Sequence, residues 1–419
     1  MLWTDLNNKH IGIWGMGKEG ISAKQAISKY ASPVSITEIN EENLSEIFKC
    51  DILIKSPGVS LYRPEITEAK KQGIIITSGT NLFFANKNPH ATVIAVTGTK
   101  GKSTTSSLLA HTLKMLEQPV ELGGNIGRPL VDLVDSRADY IVAELSSYQC
   151  ADFNGAPDIG VLVNLYPEHL PWHGTHDRYY QDKLTMVSQA KTQLLNALDD
   201  RTHKYTDSDN RFQKAIYFNN AIHSDGAWFY EGDKKLFPCA SLNLVGEHNR
   251  QNACGVLTVI RHLGLNLTDC EQAFKTFQAL PHRLQTIGHK NGLTFIDDSI
   301  STTPETAIAA LKAIGHEHPI TLIAGGQDRG QDFSDLVDYI KNHPTVQLIT
   351  LPDTGGRLAE IAHKNGIPVS ACKTMPEAVQ TATEITPVGG TVLLSPAAPS
   401  YNMYKNFEER GQDFKNSIS

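Results

Sequence analysis

Residues 97 to 104, TGTKGKST, follow the apolar run VIAV and precede a stretch with helical periodicity. A loop between a strand and a helix gathers backbone N–H groups at the positive end of the helix dipole, where phosphate binds. Gly98, Thr99 and Gly101 let phosphate approach the backbone, Lys102 would meet the β- and γ-phosphates, and the hydroxyl of Ser103 or Thr104 would sit on Mg2+. The strict Walker spacing asks for glycine where Val96 stands, so the loop uses Gly98.

Four further groups could do chemistry. Gly15, Gly17 and Gly20 form a GxGxxG between an apolar run and a helical one, with Glu38 near the end of the next strand, a pattern that suits a nucleotide-bearing ligand. Glu144 ends the apolar run of AELSSYQ, where it suits Mg2+ and equally suits a solvated strand end. Glu168 and His169 in NLYPEHLPWHG follow another apolar strand, at the end of a parallel sheet that carries ligands. Lys183 lies in the helical DRYYQDKLTMV, where a lysine is ordinarily a solvated face.

These residues need strands and helices in alternation to hold them. HIGIWGMG, PVSITEI, DILIKSPG and GIIITSG alternate with amphipathic stretches, which predicts parallel βα units up to the polar ANKNPHA at residues 85–91, read as a linker. A second series runs from Thr92 through TVIAVTGT, ADYIVAELSS and IGVLVNLYPEHL, with hairpin-like AIYFNN and GAWFYEGDKKLFP near 215–245. A third follows FQALPHRLQ with LTFIDDS, PITLIAGG, VQLITL and GTVLLSPAAPS. The expected architecture is α/β in three domains: 1–90, Rossmann-like; 91–279, a P-loop ATPase-like parallel sheet; and 280–419, Rossmann-like again.

Composition narrows the function classes. The chain has 419 residues, 40% apolar and 20% charged, with net charge -7 and no basic stripe, which excludes a nucleic-acid partner. Its six cysteines lie far apart without a CxxC, and no run suits a signal peptide or membrane span. A cytoplasmic monomer acting on small molecules, without a membrane partner, is expected.

The ordered set TGTKGKSTT, GGNIG (123–127), AELSSYQ, EHL with Lys183 downstream, GEHNRQN (246–252), LPHR (280–283), DDSISTTP (297–304) and LLSPAAPSYNMYKNFEERG (393–411) resembles the Mur ligase family. These are ATP-dependent amide ligases of peptidoglycan precursor synthesis, and the GxGxxG and SPG (56–58) extend the likeness almost to the first residue. The tail SPAAPSYNMYKNFEERG and the compact N-terminal fold look most like members that add glutamate to UDP-N-acetylmuramoyl-L-alanine.

The resemblance implies the UDP end of the sugar substrate on the first domain, near Gly15, Gly17, Ser56, Pro57, Gly58 and Asn125. It implies ATP between the central and C-terminal domains, with Lys102 and Ser103 at phosphate, Asn249 and Asn252 toward the adenosine, and Arg283 and Asp298 around the nucleotide. Glutamate would be held by Thr302, Arg329, Ser400 and Phe407. Two Mg2+ ions are implied, one at Ser103 and Glu144, the other at His169 and Lys183, with Lys183 carbamylated by CO2 because an ammonium cannot ligate a metal.

The chain departs from the family pattern in places. Many glutamate-adding members have Asp-Ser-Lys-Ala-Thr-Asn where Asp298 to Thr303 stand, a common lysine is Arg329, and DHLD reads EHLP at Glu168 to Pro171. Arg offers a planar fork to a carboxylate where Lys is a point charge. Addition of D-glutamate is the family default, and these variants keep the subgroup that adds L-glutamate open. Rival readings are a folylpolyglutamate synthase-like ligase, a non-catalytic nucleotide switch, and a nicotinamide oxidoreductase resting on GxGxxG alone.

Overall fold

Strand β1 (His10–Trp14) is buried at every position but its first, as a strand covered on both faces must be. With β2 (Ser35–Ile39), β3 (Ile52–Lys55) and β4 (Ile75–Thr77) it forms a parallel sheet in the order β2-β1-β3-β4. Helices α1 (Lys18–Tyr30) and α2 (Pro64–Lys71) and a 3-10 turn at Leu44–Lys49 make the crossovers, and α3 (Gly79–Asn86) leads out of the sheet. The order reverses between β1 and β3, so the loops after these strands face one crevice.

The second sheet is built around β5 (Thr92–Thr97), which leads into α4 (Lys102–Met115). It takes in β6 (Val120–Gly124), β7 (Tyr140–Glu144), α5 (Ser147–Ala151), β8 (Ile159–Leu162), α6 (Leu170–His173), α7 (His176–Ser188), β9 (Thr192–Asn196), α8 (Asp200–Thr206) and β10 (Ile216–Phe218). All six strands are parallel, in the order β10-β9-β8-β5-β7-β6. A core of Val93, Ala95, Ile141, Leu162, Leu184 and their neighbours fixes the helices on it. Beyond it come an antiparallel meander of β11 (Ile222–Ser224), β12 (Trp228–Glu231) and β13 (Lys234–Pro238), then α9 (Glu247–His262) and α10 (Cys270–Thr276).

The third sheet has β14 (Gln285–Lys290) antiparallel to β15 (Leu293–Asp297), followed by α11 (Pro304–Ile314), β16 (Ile320–Gly325), α12 (Ser334–Lys341), β17 (Val346–Leu351), α13 (Gly355–Lys364), β18 (Val369–Ala371), α14 (Met375–Ile385), β19 (Thr391–Leu394) and α15 (Phe407–Ser417). Its order is β14-β15-β19-β16-β17-β18, parallel from β15 onward.

This computed structural model describes every residue except Val245, Ala279, Leu280, His316 and Ser419. The expected boundary at 279/280 and the first residue of LPHR therefore lie outside the described residues. The chain packs as two compact units, Met1–Asn243 with His248–Phe277, and Leu244–Glu247 with Gln278–Ser419. The first and second sheets share the first unit.

The α/β class with successive, mostly parallel sheets is what the alternation predicts. One local reading differs. AIYFNN is no hairpin arm: Ile216–Phe218 pairs parallel with β9, and Asn219, at φ 63°, turns the chain toward the meander. ANKNPHA joins the first sheet's last helix to β5, as a linker would, and it is tied down: Asn86 closes α3 and bonds the N-terminus through Trp3 N and Met1 O, while Lys87 Nζ donates to Ala91 O. Among the described residues no helix is long and apolar enough to cross a membrane.

Candidate active site

The parallel register places the C-terminal ends of β5, β7 and β8 side by side. The 98–101 loop leaves β5 there and enters α4 at Gly101, whose φ of 79° is left-handed. A Cβ on Gly101 would lie 2.8 Å from Asn252 Nδ2, so the loop can only pack on α9 without a side chain. Asn252 and its neighbour Asn249, joined at 3.5 Å, are both buried against the loop.

The loop is held from β8. Thr99 N donates to Asn164 O at 2.9 Å, Lys100 N donates to Asn164 Oδ1 at 2.9 Å, and Thr99 Oγ1 accepts from Tyr166 N and Tyr179 OH. Lys102 Nζ donates to Thr99 O at 3.0 Å, inside its own loop. Ser103 is half-buried and Thr104 buried in the first turn of α4. Asn164, Tyr166 and Tyr179 were missed from sequence; the signal for the first two is that NLY directly follows the strand beside β5, while Tyr179 comes from α7.

Glu144 ends β7 with no exposed surface. Asn125 Nδ2 donates to Oε1 at 2.8 Å, while Oε2 is buried with no hydrogen-bond partner. An unpaired carboxylate oxygen in the interior costs several kcal/mol unless a cation or donor meets it. Asn125 is thus brought to Glu144.

Lys183 is no solvated face. Its side chain, on α7, is buried and donates to Gly98 O at 2.7 Å. Burial first, then the ammonium of Lys102, lowers its pKa from 10.5 to about 7. A large part of it is therefore neutral amine at physiological pH.

His169 follows β8 with a left-handed φ of 57°, a conformation that costs a non-glycine residue about 1–3 kcal/mol and collects at functional sites. Its Nδ1 bonds Tyr148 OH at 3.0 Å, and Glu168 beside it pairs with Lys100. Burial, opposed by Glu168 and reinforced by Lys183 and Lys102, lowers the imidazole pKa, so the neutral ring keeps a lone pair. Among the described residues no three His, Cys, Asp or Glu side chains converge as a ready-made metal cage. One carboxylate plus a hydroxyl is nonetheless what Mg2+ takes when phosphates and water supply its other ligands.

In the first sheet Gly17 caps α1, and a Cβ on Gly20 would stand 2.1 Å from Gly15 O. Ser56, after β3, donates its hydroxyl to the same carbonyl, so Gly15, Gly17 and the Ser56-Pro57-Gly58 loop meet at the switch point. Glu38 lies off this contact, paired with Lys24 at 2.6 Å on the surface.

The second unit gathers its candidates at one end of the third sheet. Asp298, just past β15, accepts from Ser301 Oγ, Ser395 Oγ and Leu284 N; burial still lifts its pKa to about 6, with Arg283 opposing. Arg283 Nε is buried without a hydrogen-bond partner. Arg329, past β16, donates Nε to Gln327 Oε1 at 3.0 Å and lies 5.6 Å from the Tyr401 ring centroid. Gln327 N in turn donates to Pro399 O, next to the buried Ser400, and Phe407 O accepts from Ser299 Oγ. Thr302 is half-buried in the turn before α11.

The chain resembles known proteins along its length. Residues 96–260 match the Mur ligase middle domain, and residues 282–398 the Mur ligase glutamate ligase domain. A UDP-N-acetylmuramoyl-L-alanine–L-glutamate ligase of a Micromonospora species is 36% identical over 100% of this chain and 98% of its own length. The crystal structure of a UDP-N-acetylmuramate–alanine ligase from Thermotoga maritima superposes with a TM-score of 0.60 at 18% identity, covering 98% of this chain and 100% of that one. MurF ligase from the same organism, in complex with ADP, gives 0.60 at 17% identity over 99% of this chain and 96% of its own. Two matching domain families and full-length identity at this level make the chain a member of the Mur ligase family.

Proposed function

We propose that this chain is an ATP-dependent ligase that joins glutamate, in its L form, to the carboxylate of UDP-N-acetylmuramoyl-L-alanine in peptidoglycan precursor synthesis. The observation that carries it is the meeting of the 98–101 loop, the unpaired Glu144 oxygen and the buried Lys183 amine at the ends of three adjacent strands. A nucleotide switch has no use for the last two. The names of the relatives support L-glutamate, and Arg329 offers a planar fork to a glutamate carboxylate of either hand.

A carboxylate is a poor electrophile. In this reading its oxygen attacks the γ-phosphorus of ATP, ADP leaves, and the acyl phosphate is attacked by the glutamate amine; the C–O bond to phosphate breaks and the ammonium sheds its proton. Lys102 and the α4 N-terminus neutralise charge on the β- and γ-oxygens, and Asn249 and Asn252 lie toward the adenosine. Ser103 and Glu144 would hold one Mg2+, and His169 with a Lys183 carbamate a second. Bound there, the ions supply charge neutralisation for the moving phosphoryl group. The neutral fraction of Lys183 supports carbamate formation, in which amine and CO2 give the carbamate and release one proton.

The reading assigns 1–90 to the sugar nucleotide, with Gly15, Gly17, Ser56, Pro57 and Gly58 nearest it and Asn125 of the central region beside them. It assigns 91–279 to ATP, and 280–419 to glutamate through Thr302, Arg329, Ser400 and Phe407. It places the chain in the cytoplasm, where ATP is made available. Phosphate release from ATP tests it: release should require UDP-N-acetylmuramoyl-L-alanine together with L-glutamate. Release with D-glutamate alone would reverse the stereochemistry, and release with neither would sink the reading.

A further inference from the structure

The first unit contains a continuous polar and aromatic bridge that the reaction as described leaves unused. It starts in the loop between β3 and α2, just past Ser56-Pro57-Gly58. Ser60 Oγ donates to Trp172 O at 2.8 Å, and Tyr62 OH donates to Asp182 Oδ1 at 2.5 Å. Asp182 precedes Lys183 on α7; its other oxygen meets His173 Nδ1 at 2.5 Å, and His173 Nε2 lies 3.0 Å from Ser147 Oγ, at the start of α5 beyond Glu144. The Tyr62 ring packs edge-on against Trp172, with centroids 5.8 Å apart, and the Arg178 guanidinium sits 4.5 Å from its centroid. Trp172 stacks on Tyr148 at 4.7 Å, and Tyr148 OH holds His169.

Two routes therefore run from one tyrosine. Through Asp182 its hydroxyl reaches the residue beside Lys183, and through Trp172 and Tyr148 its ring reaches His169. Ring packing alone would need no hydroxyl; the hydroxyl supplies Asp182 Oδ1 with a donor while His173 meets Oδ2, so both oxygens are held and the loop is tied to α7. We infer that Tyr62 is a positioning residue: it ties the Ser56–Gly58 loop to α7 through Asp182, so that a sugar nucleotide on that loop sets the placement of Lys183 and His169. This rests on the proposed function for its ligand, and the bridge itself for its mechanism.

The test is Tyr62→Phe in the full chain, which keeps the ring and removes the hydroxyl. Its kcat should fall roughly 10- to 100-fold, the scale of a small misplacement at a reacting centre, with KM for ATP within about twofold of wild type. Added UDP-N-acetylmuramoyl-L-alanine should slow amide hydrogen exchange at both 56–60 and 168–183 in wild type. In Tyr62→Phe the protection at 56–60 should stay and that at 168–183 should be lost. Asp182→Asn should lower kcat too, and the double variant should be no worse than Asp182→Asn alone. An unchanged kcat, additive losses, or equal protection at 168–183 in both proteins would each overturn the inference. If the sugar nucleotide protects nothing at 56–60 in wild type, the functional reading of that loop fails and the inference falls with it.

Discussion

The loops at 15–20 and 98–101 share one plan, a parallel strand running through glycines into a helix, yet their surroundings differ. Around 98–101 stand the half-buried Lys102, the buried Lys183 amine and the half-paired, buried Glu144, ionisable groups gathered at one spot. Around 15–20 no charged side chain touches the glycine turn itself: Gly15 O takes the Ser56 hydroxyl, Glu19, whose carboxyl burial and then Asp132 push up to about 7, accepts from Gln149, and Lys24 and Glu38 pair on the surface. An interior site makes each charge count for far more than it does in water. A helix N-terminus is enough to hold a phosphate; moving a phosphoryl group asks for desolvated charges set in advance.

The contrast can be broken from either side. The largest effect is expected for Lys102→Ala, which should cut phosphate release about a thousandfold or more while the fold, followed by circular dichroism, stays intact. Near-normal turnover would mean that 98–101 only holds nucleotide, like its counterpart. Lys183→Ala should lose about a hundredfold or more, with partial recovery when formate or acetate stands in for the carbamate. Full activity without rescue would remove Lys183 from the mechanism. The same lysine sets a pH dependence: below about 7 its amine is protonated and cannot take up CO2, so labelled CO2 incorporation should rise as pH climbs through about 7. Uptake that is flat from pH 6 to 9 would contradict the buried neutral amine.

On the other side, Gly20→Ala drives a Cβ into Gly15 O and should cost about 1–3 kcal/mol of stability. KM for the sugar nucleotide should rise several-fold and KM for ATP should not move; an equal rise in both would show that the two loops are not separate sites. The smallest change is expected from Glu38→Ala, whose exposed ion pair with Lys24 is worth about 0–1 kcal/mol. A rise in KM for the sugar nucleotide of more than about tenfold would give Glu38 a direct ligand contact that its pairing does not suggest.

The glycine loops, Glu144 and His169 were legible because each follows an apolar strand, and strand ends in a parallel sheet carry ligands. Lys183 was different: its own helix reads as a solvated face, and only the resemblance to other ligases singled it out. Its burial comes from α7 packing across β5 and β8, contacts no local pattern announces. Tyr62, His173 and Asp182 were missed for the same reason, since their partners lie up to 120 residues apart in the chain. The polar run at 85–91 is the connection its composition marks, but composition says nothing of what its side chains bind.

Hydrophobic alternation and glycine spacing, both local, settled the α/β class, the strand–loop–helix units and the presence of two glycine-bearing strand–helix turns. Which loops meet, which carboxylate oxygen is left unpaired and which lysine loses its proton depend on strand order and on burial. Those are properties of the packed chain, because dielectric surroundings and long-range hydrogen bonds exist only once distant segments are in contact.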